Sequence, residues 1–130
     1  MRFNLARLFI GLVILWNLQA AIMVLVWPDR LLPAYELQGA AGIAALRGIG
    51  VLFLMWNIPY IVALWNPVKY RISLFEALVM QSIGLVGEAI LYLSLPEVNT
   101  LLRGSIMRFI VFDALGLVLL VLAAWITRDG

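Results

Sequence analysis

Four long apolar runs, near Leu5–Trp27, Ala40–Leu64, Ile72–Leu95 and Ser105–Ile126, take up almost the whole of this sequence. A helix that crosses the hydrocarbon layer needs roughly 20 consecutive apolar residues, and each run meets that length. With 65% hydrophobic and 12% charged residues, the chain also has too little polar surface to coat a water-soluble globule. The expectation is therefore an all-α protein, a four-helix transmembrane bundle with up-down topology. It forms a single transmembrane domain over residues 1–130 and leaves no soluble module between helices.

The first run follows Arg2 and Arg7, as a signal peptide would, but its apolar stretch exceeds the 7–15 residues of a signal core, and Trp27-Pro28-Asp29 is no small-residue cleavage site. It reads as a retained first helix. Pro28 and Pro33, Asn66-Pro67, and Pro96 with Asn99 punctuate the three connections. Trp27, Trp65 and Trp125 fall at helix ends with Tyr35 and Tyr70 just beyond, where amphipathic rings sit at headgroup level. The side holding both termini and the second connection carries Arg2, Arg7, Lys69, Arg71 and Arg128, against Arg30 and Arg103 on the other. Excess Lys and Arg marks the cytoplasmic side, so both termini are expected there.

The sequence has no cysteine and no histidine. That excludes disulfides, thiolate chemistry, iron–sulfur ligation and imidazole-held haem or zinc, and no metal or other cofactor is expected. The nine basic residues are dispersed, which gives no nucleic-acid footprint. Only carboxyls, hydroxyls and amides remain for proton chemistry.

Within "ALRGIGVLFLMWN" an arginine stands inside an apolar helix. At 1.5 Å per residue, Arg47 and Glu88 lie about 10 Å in from the outer ends of their runs, Asp113 about 12 Å and Arg108 about 5 Å. A charge within a membrane helix costs about 2.5–3.5 kcal/mol, so such groups face the bundle interior and pair. The expected cluster is Arg47, Glu88, Asp113 and Arg108, with Arg47 as counter-ion of Glu88, Asp113 or both, and Arg108 reaching toward the surface. A buried salt bridge of this kind can fix helix register, hold a polar headgroup or serve an ion pathway. Asn17, Asn57, Glu76 and Gln81 form a second, inner polar zone, and Gln81, Gly84 and Glu88 share one helix face. Pro59 should bend the second helix.

The small-residue pairs Ala41/Ala45 and Ala44/Gly48 fit close packing inside the chain better than a dimer face, because Arg47 in the same stretch should face protein. Gly84 and Gly87 can do the same in the third helix. Arg7 and Arg47 each precede a Trp-Asn pair by nine residues, a repeat no stronger than chance. Short interfacial helices or turns are expected in "PDRLLPAYELQG" and "PEVNTLLRG", with Glu36 or Glu97 over the charged cluster.

"ARLFIGLVILWNLQA", a Pro-containing connection and then "ALRGIGVLFL" resemble the opening half of DoxX-like four-helix membrane proteins, across about half of the chain. The resemblance implies a small subunit associated with a quinol oxidase or another membrane redox complex. The expected function is accordingly that of a non-catalytic accessory or assembly subunit, not an enzyme, contacting membrane lipid or quinone and partner subunits in a prokaryotic inner membrane. The alternative is a small homo-oligomeric proton- or ion-coupled transporter or channel that uses the buried carboxylates. Small multidrug resistance transporters are similar in size, but their essential glutamate lies in the first helix. Here that helix has no acidic residue, and Glu88 of the third would have to serve.

Overall fold

The computed structural model describes residues 2–128, and every long element in it is a helix. α1 spans Arg2–Val26, a short α2 spans Pro28–Leu31, and a 3-10 turn follows at Pro33–Tyr35. α3 then runs over Gly39–Trp65, α4 over Arg71–Ser94 and α5 over Thr100–Thr127. α1, α3, α4 and α5 are all long and apolar enough to cross a membrane, so the chain is a multi-pass membrane protein. They match the four sequence runs to within a few residues, except that α5 starts at Thr100 and not near Ser105.

That early start has a local cause. Glu36 ends the 3-10 turn in the left-handed region, with φ of 54°. Its carboxylate accepts the main-chain N–H groups of Leu101 at 3.2 Å and Leu102 at 3.3 Å, and a third hydrogen bond from the Asn99 amide. The first turn of a helix has no internal partner for its N–H groups, so a carboxylate from another element can cap it.

The helices form a ring in which α1 packs on α3, α3 on α4, α4 on α5 and α5 on α1. Neighbours are antiparallel. Gly11 lies by Leu64 and Gly50 by Val24 and Leu25 across α1 and α3, and Trp16 meets Phe112 across α1 and α5. α3 and α5, each antiparallel to α1, therefore point the same way.

Three arginines close helix C-termini across these pairs. Arg7 donates Nε to the Leu64 carbonyl at 2.9 Å, and Arg71 donates to the Thr127 and Arg128 carbonyls at 3.2 Å each. Arg103 donates to the Tyr92 carbonyl at 3.2 Å and the Leu95 carbonyl at 2.8 Å, with its guanidinium 4.3 Å from the Tyr92 ring centre. Helix C-termini expose carbonyls and carry partial negative charge, so a cation is favoured there. These three side chains have structural work beyond marking a membrane face.

Buried side chains divide the bundle into two halves. Toward the end that holds Arg7 and Trp65 lies an apolar cluster of Ala6, Ile10, Leu74, Ala77, Leu120 and Ala123. Toward the connections at 27–38 and 95–99 buried Ser105 joins the apolar Ala21, Val24 and Leu46, and Asn57 and Gln81 are buried between the two ends. The 3-10 turn roofs this half: Ser105 Oγ donates to the Ala34 carbonyl at 2.6 Å, and Tyr35 packs on Phe109 with ring centres 6.3 Å apart.

Candidate functional site: a carboxyl pair inside the bundle

Glu88 of α4 lies one turn beyond Gly84 on the face that packs against Asp113 of α5, which makes the two carboxyls neighbours. Gly84 makes the approach possible, because a Cβ there would lie 2.8 Å from Asp113 Oδ2. Gln81, 4% exposed, donates Nε2 to Asp113 Oδ1 at 3.1 Å and to the Asp113 carbonyl at 3.2 Å. Its Oε1 accepts the Tyr60 hydroxyl at 2.7 Å. Tyr60, Gln81, Asp113 and Glu88 thus form one line of contacts across α3, α4 and α5.

Asn57 belongs to the same layer. Phe53 of α3 and Phe109 of α5 pack with ring centres 5.9 Å apart. Because α3 and α5 are parallel, four residues further on Asn57 and Asp113 sit on the same faces one turn below those rings. Asn57 is fully buried and donates Nδ2 to the Phe53 carbonyl at 2.7 Å. Its Oδ1 and Glu88 Oε2 are both buried without a donor. Buried polar atoms normally find a partner, so two orphan acceptors beside a carboxyl pair define a layer short of hydrogen.

The arginines do not supply it. Among the described residues, Arg47, Arg108, Glu88 and Asp113 form no ion pair with one another, which corrects the expected buried salt bridge. Arg47 lies on the outward stripe Ala40, Ala44, Arg47, Val51, Leu54 and Ile58, all exposed. The inward face of α3 is carried instead by Gly42, Leu46, Gly50 and Asn57, one helical position away. Arg108 is also exposed and donates to Ser105 Oγ at 3.0 Å.

The inner zone is corrected in part as well. Glu76 is exposed, and Asn17 is half-buried with no side-chain hydrogen bond among the described residues, whereas Asn57 and Gln81 are buried. Ala41, Ala44, Ala45 and Gly48, expected to pack inside the chain, are exposed; Gly42 and Gly50 of the same stretch make the close contacts. The Arg-Trp-Asn repeat has no structural counterpart, since Arg7 caps a helix while Arg47 points outward. Tyr60 and Tyr35 were not singled out from the sequence as site residues. A hydroxyl three residues beyond Asn57, on the same helix face, was the available signal.

Above the pair, outside the spanning helices, burial pushes the Tyr35 phenol above its ordinary range, opposed by the Arg108 cation and reinforced by Glu88. Glu36 is held below the usual carboxylate range, chiefly by the Asn99 hydrogen bond and also by the Leu101 and Leu102 N–H groups. A carboxyl lowered on folding adds stability that is complete above its unfolded value and disappears as pH falls through its folded value. The melting temperature of wild type should exceed that of Glu36→Gln above about pH 5, and the gap should close as the pH falls further. A gap that stays constant down to about pH 3 would reject the cap.

No family model, curated protein or solved structure matches this chain. Fold and site together define a class, a four-helix multi-pass membrane protein with an internal carboxyl pair.

Proposed function

We propose that this chain is a non-catalytic accessory or assembly subunit of a larger membrane complex, in a prokaryotic inner membrane with both termini cytoplasmic. The observation that supports it is Arg47. Its charge stands on an otherwise apolar outward stripe, eight residues into α3, beside the exposed small residues Ala44 and Gly48. Leaving it there unpaired costs about 2.5–3.5 kcal/mol, and a carboxylate or backbone carbonyl of an adjoining subunit would offset that cost. Small residues flanking it let another helix approach closely. The resemblance to DoxX-like proteins points the same way, and lipid or quinone would fill what the partner leaves uncovered.

Gentle extraction from the native membrane followed by native mass spectrometry tests the proposal. A mixed complex is expected, from which Arg47→Leu releases a chain of unchanged helix content. A chain recovered alone, or a complex indifferent to Arg47→Leu, would overturn it.

The carboxyl contact favours a second reading, a homo-oligomeric proton-coupled transporter. It requires a complex of identical copies in the same measurement and pH-driven flux in proteoliposomes. Flux that persists in Glu88→Gln would reject it.

A further inference from the structure

We infer that Glu88 and Asp113 together bind one exchangeable proton, making this layer of the bundle a proton-holding site. The inference stands whether the chain serves as a subunit or a carrier. It deepens the carrier reading by naming the bound species.

The geometry argues for a proton over any larger ligand. Two ionised carboxylates repel strongly at contact in a low-dielectric interior, so the pair needs positive charge between its oxygens. Arg47 and Arg108 are both exposed, and among the described residues neither forms an ion pair with Glu88 or Asp113. The two carboxyls are neighbours on facing helices, with Gly84 against Asp113 and Glu88 one turn further along the same face, so a shared hydrogen satisfies both. With one proton, the neutral carboxyl donates its O–H to the carboxylate of the other. The single negative charge that remains is supported by the Gln81 amide on Asp113.

Asn57 is the independent sign that the layer receives hydrogen. Its Oδ1 is buried and undonated, one turn beneath the Phe53–Phe109 contact and in the layer of Asp113. A buried amide oxygen accepts from an O–H, whether of water or of a carboxyl. Every titratable or charged group near the pair can be named. α5 contributes Arg108, the 3-10 turn Tyr35 and α3 Tyr60, whereas α1 offers only amides at this level, its arginines being at the opposite end.

Infrared difference spectroscopy on the purified full chain in lipid nanodiscs, at neutral pH and without a substrate, reads the site directly. Wild type should show one protonated carboxyl per chain that shifts on transfer to heavy water. Glu88→Gln and Asp113→Asn should each abolish the signal, because the introduced amide supplies the missing hydrogen and the surviving carboxylate stays ionised. Both replacements keep size and hydrogen bonding, and the wild-type spectrum decides the first point even if a variant fails to fold. Absence of the signal, two protonated carboxyls per chain, survival of the signal in either variant, or its removal by added sodium or potassium would each overturn the assignment. Nanodisc spectra that show the proton alongside proteoliposomes without pH-driven flux would sink the carrier reading and leave the site standing.

Discussion

Gly50→Ala should cost about 1–3 kcal/mol of stability, while Gly48→Ala, two residues earlier on the same helix, should cost nothing measurable. A Cβ at position 50 would lie 2.6 Å from Leu25 Cγ and 2.7 Å from Val24 Cγ2, deep in the contact between α1 and α3. Those atoms are not the free ends of long side chains, so the helices themselves have to move apart. At position 48 nothing lies within 4 Å. Alanine is also the better helix former, by roughly 0.5–1 kcal/mol in exposed sites, which can make Gly48→Ala slightly stabilising. Reversible unfolding of the two variants in mixed detergent micelles gives the comparison, and equal effects would reject the α1–α3 packing. A large side chain at position 48 has a separate use: Gly48→Leu should leave the isolated chain folded yet weaken its association beside Arg47.

Gln81→Leu should be the second costly change, at about 2 kcal/mol. Polar contacts between membrane helices average only about 0.6 kcal/mol, because the separated helices find other partners. Gln81 should exceed that average. It is almost fully buried, and its removal strands the Tyr60 hydroxyl on one side and Asp113 on the other. Tyr60→Phe alone should cost much less, since it removes the donor along with the bond and leaves only one lone pair of Gln81 unused. A double-mutant cycle between Tyr60→Phe and Gln81→Leu should show coupling; strict additivity would mean that the 2.7 Å contact contributes nothing. Gln81→Leu should also disturb the infrared carboxyl signal, because Asp113 loses the amide that supports its charge.

The sequence made the helices legible because a twenty-residue apolar run has few other fates. It also made Gln81, Gly84 and Glu88 legible as one face, since their spacing follows helical geometry, and that face does meet Asp113. Arg47 was misplaced for a physical reason. Its depth can be counted along the helix, but its direction depends on which face of α3 is buried. The run from Ala40 to Gly50 is small or apolar all round, so its pattern does not mark that face. The inward side is set by Gly42, Leu46 and Gly50, whose identity as contacts appears only once α1 and the 32–37 segment are in place. The role of Glu36 was illegible for a related reason: a cap between elements 65 residues apart leaves no trace in local spacing.

The three arginine caps set an order on how the chain can mature. Arg7 has no carbonyl to hold until the end of α3 has been made, and Arg103 reaches back to α4 as soon as α5 begins. Arg71 must wait for Thr127, the last residue of the last helix. That latch therefore closes only after α5 has been made as far as Thr127, so the α4–α5 end of the bundle is the last of the three to be fastened.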